Sequence, residues 1–333
     1  MTRRQDGRYQ EKLTIGGKTK YFYGKSKAEV LRKIRSFEEE TERGKLFSAV
    51  ADEWWEIHEP TLAYNTAKSY KPACKRAVEA FEDTPIKDIT PPQINSFIEE
   101  FSRNKADKTV RTQLMVLNLI FRYAVQKGYA PINPVRDLSV PKNLPKKKRT
   151  SPSAEDIRRA KEGTNCTFGM FAYWALYTGM RRGELLALEW KDVDIKNRTI
   201  NINKSLYHIA NKPELKLPKT KTSIATIPIL DALAKKLHKG KGLVFPNEKG
   251  GYMTNMQFDK AWKTYCKETG IEATPHQFRH AYATMLFENE IPPEEAQALL
   301  RHAQLSTTMD VYTDLRDAKL KAIHQKVYAV DIE

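Results

Sequence analysis

Cysteine is scarce in this chain of 333 residues: there are three, Cys74, Cys166 and Cys266, far apart and in no C-x-x-C pair. That spacing suggests neither a disulfide framework nor a zinc site, and the three read as ordinary, mostly buried residues. The seven histidines include no H-E-x-x-H pair, and no G-x-x-x-x-G-K-[ST] loop occurs. The expected chemistry therefore uses neither ATP nor a dedicated metal site, and no cofactor is expected. No apolar run approaches the roughly 20 residues that a bilayer span needs. The start, MTRRQDGRYQ, has no apolar stretch behind its charges and does not read as a secretory signal. A cytoplasmic protein with no membrane partner is the expectation.

Negative charge is the second shortage. Against 57 lysines and arginines there are 41 aspartates and glutamates, a net charge of +16. A polyanionic partner follows, and without a membrane segment nucleic acid is the preferred one. The length allows two or three domains with a sizeable core.

Residues 8 to 23, RYQEKLTIGGKTKYFY, read as two strands around a Gly16-Gly17 turn. Ser26 and Glu29 have the spacing of a capping box, and Val30, Ile34 and Phe37 recur at helical spacing until Gly44. A small sheet backed by a helix is expected, with Arg8, Lys12, Lys18 and Lys20 beside Tyr21 and Tyr23 on its exposed side. That mixture suits a DNA groove. From Leu46 to about Asp137 the pattern is helical. Ile94, Phe97, Ile98 and Phe101 form one stripe behind Thr90-Pro91, and Leu114, Leu117, Phe121 and Val125 form another that stops at Gly128. Five prolines between Pro131 and Pro152, with the cations Lys146 to Arg149, mark residues 138–152 as an extended linker.

A second helical region begins after Ser153, with Phe168 to Tyr177 apolar enough for a buried helix. Arg181 then opens the next helix, although a cation is disfavoured at the positive end of a helix dipole. Rules of local sequence break most often at working sites. Residues 199 to 229 change to period two: TININ, then ELKLPKTKTSIATIPI, which reads as strand-turn-strand with Lys219 and Lys221 at the turn.

The chemistry concentrates between Thr274 and Asp314. His276 and Arg279 are three residues apart, on one face of a helix. Arg301-His302 follows, and Tyr312 comes ten positions after His302 in a turn-like Ser-Thr-Thr-Met-Asp-Val-Tyr setting. A phenol, imidazoles and guanidinium groups can attack a phosphodiester without a metal. The phenol is the nucleophile, imidazole moves protons, and guanidinium binds the charge that builds up on the phosphoryl oxygens. His280 is read as a packing residue, as are the other phenols Tyr265, Tyr282 and Tyr328.

Four blocks then stand in order: TGMRRGE at 178–184, PKTKTSIATIPI at 218–229, HQFRH at 276–280 and LLRHAQLSTTMDVY at 299–312. On these the chain resembles the tyrosine recombinases, specifically the integrases of temperate phages and conjugative elements, over essentially its whole length. The resemblance implies Arg181 as the first catalytic arginine with Glu184 in support, His276 and Arg279 from H-x-x-R, His302, and Tyr312 as nucleophile. The hairpin lysine it implies looks like Lys219, with Lys221 two residues on and on the same face. Members commonly carry Leu-Gly-His where this chain has Leu300-Arg301-His302, a change that adds a cation and bears on local backbone geometry.

The implied fold is mainly α and multidomain, of α+β type. It comprises an arm-binding sheet and helix at 1–45, a helical core-binding domain at 46–137, the linker at 138–152, and a mixed, mostly helical catalytic domain with a small sheet at 153–333. The implied activity is site-specific cleavage and rejoining of double-stranded DNA through a 3′-phosphotyrosyl link, integrating or excising a phage genome or mobile element. Four protomers would act on paired attachment sites, together with an accessory directionality factor. A type IB topoisomerase and a DNA-binding regulator that no longer cuts are the alternatives.

Overall fold

The structure, a computed structural model, describes the backbone of residues 1–15, 18–145, 150–216 and 224–330. It describes the side chains of these residues apart from 15, 18, 36–42, 314, 318, 319 and 321–330. The Gly16-Gly17 turn, the cations Lys146 to Arg149 and the hairpin lysines Lys219 and Lys221 lie outside the described residues. The chain forms two compact units, Met1–Lys147 and Lys148–Glu333.

In the first unit, β1 (Thr2–Arg3), β2 (Tyr9–Ile15) and β3 (Lys18–Gly24) form an antiparallel sheet in that order, followed by α1 (Lys27–Arg43). Ser26 starts the helix by accepting from the Glu29 amide at 3.1 Å, while the Glu29 carboxylate accepts from the Lys25 amide at 2.8 Å. This is the reciprocal arrangement that the Ser26–Glu29 spacing implies.

The single basic and aromatic face expected here divides in two. Lys12 pairs with Tyr21 across the strands and Leu13 with Lys20. Because side chains alternate, Lys12, Tyr21 and Tyr23 share one face, while Lys20 stands on the other with the buried Phe22. Arg8 precedes β2 and is paired with Asp6 at 2.9 Å, and the side chain of Lys18 is not among those described.

Among the described residues, four α-helices complete this unit: α2 (Phe47–His58), α3 (Tyr64–Phe81), α4 (Pro91–Ser102) and α5 (Asp107–Gln126). Their core contains Phe47, Val50, Trp54, Ala77, Ile94, Ile98, Leu117, Ile120 and Phe121. One polar side chain is buried in it without cost in lost hydrogen bonds: Gln113 donates to the Ala73 carbonyl and accepts from Arg76, both at 2.9 Å. Helix α4 starts where Thr90-Pro91 predicts, with the Thr90 amide donating to Gln93 at 2.8 Å. Val125 does not join the predicted α5 stripe; it is exposed, because the stripe has rotated outward one turn before Gly128.

The second unit contains α6 (Ala154–Glu162), α7 (Gly169–Thr178), α8 (Arg182–Ala187), β4 (Val193–Asp194), β5 (Thr199–Ile202), β6 (Ser205–Ile209), β7 (Lys212–Lys216), β8 (Ala225–Pro228), α9 (Asp231–Ala234), α10 (Asn255–Thr269), α11 (Pro275–Glu288), α12 (Pro293–Leu300) and α13 (Leu305–Val330). Helix α7 is apolar on all sides and lies inside the core, where Phe171 and Trp174 meet Phe245, Phe258 and Trp262.

Two expectations change in this unit. The segment read as one strand-turn-strand contributes to two sheets: β7 pairs with β6, and β8 pairs with β5 in the order β4-β5-β8. Strand β6 was not marked by apolar alternation because His208 occupies an inward position, its Nε2 bonded to the Met253 carbonyl at 3.0 Å. The Ser-Thr-Thr-Met-Asp-Val-Tyr stretch is not a turn but the opening of α13. Serine and threonine favour the first turn of a helix, where amide groups lack intrahelical partners. Among the described residues no helix is long and apolar enough to cross a membrane.

Candidate active site

The site forms where the α7–α8 junction, α11 and the α12–α13 turn meet. Helix α7 ends at Gly179 with φ of +59°, and a Cβ there would stand 2.4 Å from the Tyr282 ring. Glycine is required twice over, by the backbone and by the close approach. The reversal presents the Gly179 carbonyl and starts α8 at Arg181.

The arginine at that helix start is explained by Glu184. The Arg181 amide donates to one carboxylate oxygen at 2.9 Å and its guanidinium to the other at 2.8 Å. A second guanidinium nitrogen reaches the Arg301 carbonyl at 2.7 Å. Glu184 is buried, which by itself favours the neutral acid, yet Arg301 and then Arg181 hold its pKa below the usual carboxylate value.

Helix α11 carries His276 and Arg279 on one face, as their spacing implies. Thr274 and Gln277 cap its start, with the Thr274 amide donating to Gln277 at 2.9 Å. Arg279 is 3% exposed and donates to the Gly179 and Leu300 carbonyls. Burial, with Arg181 and Arg301 beside it, lowers its pKa to about 9, so it stays charged at neutral pH. His276 is exposed at the rim, its ring edge-on to that of His280 at 5.1 Å.

His302 follows α12. Its Nδ1 is bonded to the Thr308 hydroxyl at 2.8 Å, and its amide donates to the Gln297 carbonyl at 3.1 Å. Burial first, then the charges of Arg279 and Arg181, lower its pKa to about 4, so the ring is neutral at pH 7. His276, Arg279, His280, His302, Thr307 and Asp310 are among the residues around a cavity of about 620 Å³. Three guanidinium groups against the Glu184 carboxylate, with Asp310 on the cavity wall, leave a net positive charge here, and water screens the buried Arg279 poorly. Such a place binds an oxyanion.

Tyr312 is not brought into this group. It lies on α13, 8% exposed, with its hydroxyl donating to the Ile291 carbonyl at 3.0 Å and its ring edge-on to Phe287 at 5.2 Å. Burial raises its pKa further above its ordinary value. The structure thus gathers Arg181, His276, Arg279 and His302, and seats Tyr312 in a neighbouring apolar cluster with Tyr282, Leu286 and Leu300. Sequence reasoning assigned no role to Gly179 or Thr308, for which only the TGMRR and STT blocks gave a signal. In the sequence Arg301 stood beside His302 as one more cation and as a departure from the family pattern, with no role of its own.

Among the described residues no group of three or more His, Cys, Asp or Glu side chains is placed to hold a metal ion. Residues 154–319 match the model of the phage integrase family, and residues 47–140 match that of the phage integrase central domain. The chain belongs to the phage integrase family. Its type is that of the tyrosine recombinases, enzymes of site-specific recombination.

The recombinase is 29% identical over 249 residues to a tyrosine recombinase XerC-like protein of Caldanaerobacter subterraneus subsp. tengcongensis, covering 64% of each chain. It is 27% identical over 278 residues to the ICEBs1 integrase of Bacillus subtilis, covering 76% of this chain and 74% of that one. The fold is shared with the Tn1549 transposon integrase, solved in complex with a circular intermediate DNA, at a TM-score of 0.68 and 17% identity. That likeness covers 84% of this chain and 99% of the other.

Proposed function

We propose that this recombinase cuts and reseals double-stranded DNA at specific sites, inserting or excising a phage genome or mobile element. Tyr312 attacks the scissile phosphate, forming a 3′-phosphotyrosyl link and freeing a 5′ hydroxyl. The link keeps the energy of the broken ester, so a second strand's 5′ hydroxyl can reverse the step on a new partner without ATP. The observation that carries this reading is the convergence of Arg279 and His302 on one cavity, with Arg181 held against the Arg301 carbonyl beside His302.

Arg181 and Arg279 hold non-bridging oxygens through forked donors and favour the more highly charged transition state. His302, neutral and fixed by Thr308, donates a hydrogen bond to the phosphate. His276 takes or relays the phenolic proton, and Lys219 protonates the leaving 5′ oxygen. Tyr312 must first leave the Ile291 carbonyl and the Phe287 ring, so a movement of α13 precedes cleavage.

Residues 1–45 would contact accessory DNA through the face of Lys12, Tyr21 and Tyr23, with Arg8 nearby. Residues 46–137 and 153–333 would close on the crossover site, joined by the linker at 138–152. Four protomers would assemble on two duplexes, with a directionality factor choosing between integration and excision. The test is Tyr312→Phe on a nicked duplex that traps covalent product. DNA affinity should persist while the adduct disappears, and continued adduct formation would move the nucleophile elsewhere.

A further inference from the structure

Arg301 has a backbone φ of +57°, a conformation that L residues other than glycine and asparagine seldom adopt. Its side chain is 10% exposed, and the enclosed Nε–H has no acceptor among the described residues. Two costs, one of backbone and one of desolvation, are thus accepted at a position that a glycine would fill without strain. What offsets them is a set of contacts inside the site. One Nη donates to Glu184 at 2.9 Å and more weakly to the Gly179 carbonyl at 3.3 Å; the other donates to the Leu299 carbonyl at 2.6 Å. The Arg301 carbonyl in turn accepts from Arg181 at 2.7 Å. Glu184 therefore bridges two guanidinium groups, Oε1 to Arg181 and Oε2 to Arg301, and Oε2 also accepts from the Arg181 amide.

We propose that Arg301 is a positioning residue of the recombination site, clamping Glu184 by its side chain and Arg181 by its carbonyl so that Arg181 meets the scissile phosphate already oriented. The proposal rests on the reading of Arg181 as a phosphate ligand. Arg301 itself does not touch the substrate: its side chain is 10% exposed against 43% for Arg181, it does not border the cavity as Arg279 does, and its Nε–H is enclosed. A guanidinium that must be ordered at the moment of reaction loses catalytic advantage; one held beforehand by a carboxylate and a carbonyl does not.

A pH signature follows. The charged groups around Glu184 are Arg181 on its own helix, Arg279 from α11 and Arg301 from the turn after α12. Lys204 and Asp192, paired with each other at 3.0 Å, border the same small space, and the Tyr282 phenol faces Arg301. Arg301 is the strongest of the charges that keep Glu184 ionised against its burial. Without it the carboxyl titrates at higher pH, and the protonated form holds Arg181 less well.

The experiment uses the full chain and a nicked duplex recovered by selecting random-sequence DNA on the wild-type protein. Single-turnover adduct formation is followed from acid to neutral pH for wild type, Arg301→Gly and Arg301→Lys, with duplex affinity measured alongside. Arg301→Gly relieves the positive φ and should fold. It is expected to bind the duplex within about twofold of wild type, to form the adduct roughly tenfold more slowly, and to lose activity at higher pH as the solution is acidified. Arg301→Lys, which keeps the charge, should bring the acid limb back toward wild type. Superimposable pH profiles for wild type and Arg301→Gly would overturn the proposal, as would an Arg301→Lys profile identical to that of Arg301→Gly. A wild-type protein that forms no adduct at all would remove the phosphate reading itself, and the proposal with it.

Discussion

The seat of Tyr312 sets a barrier whose size can be worked from its contacts. The phenol donates one hydrogen bond to the Ile291 carbonyl, and its ring meets Phe287 edge-on. A net hydrogen bond contributes about 1 kcal/mol and an aromatic pair about 0.5–1.5 kcal/mol beyond area burial. Losing these two contacts alone costs about 2 kcal/mol, and at most a few per cent of molecules present the phenol at any moment. Phe287→Ala removes the ring pair and leaves the hydrogen bond, lowering that cost by about 1 kcal/mol and raising the presented fraction about fivefold. Phe287 is partly buried, so global stability should fall by less than the roughly 3–5 kcal/mol of a fully buried phenylalanine. The assay is single-turnover trapping on a nicked duplex, at a temperature where circular dichroism shows the variant folded. Adduct formation should be about fivefold faster at unchanged DNA affinity. An unchanged or slower rate in the folded variant would show that departure from this seat does not limit cleavage.

Arg279→Lys keeps a charge but cannot reach both the Gly179 and Leu300 carbonyls in a fork. Cleavage should fall by roughly 10²–10³-fold, measured as single-turnover rate, and near-normal cleavage would remove Arg279 from the site. Gly179→Ala should lower the melting temperature by several degrees, since it strains a positive φ and drives a methyl into Tyr282; calorimetry decides. His302 titrates near 4 in the folded protein, below its unfolded value of about 6.5. The unfolded chain thus takes the proton first, and this histidine's contribution to stability, full above the unfolded value, is lost as pH falls toward 4. Urea midpoints should drop between neutral and mildly acid pH, and drop less in His302→Asn; equal drops would assign the loss to other groups.

Several features of this molecule were legible in the sequence because they depend on local rules. The H-x-x-R spacing puts His276 and Arg279 on one helical face whatever surrounds them, and the Ser26–Glu29 spacing and the Thr90-Pro91 pair mark the starts of their helices from within four residues. What was not legible depends on distant partners. Arg181 looked misplaced at a helix start until Glu184 and the Arg301 carbonyl came into view. Pairing in the second unit was misread because period two reveals a strand but not its neighbour, and the inward His208 hid β6 altogether. The orientation of Tyr312 is invisible to any motif, since Phe287 and Ile291 hold it through tertiary packing.

The central claim is that the phenolic oxygen of Tyr312 becomes bonded to DNA phosphorus. Peptide mapping of the trapped protein–DNA adduct measures this directly. The nucleotide should be found on the peptide that contains Tyr312. A label on Tyr265, Tyr282, Tyr328 or any other residue, or a cleaved strand with no protein attached, would contradict it.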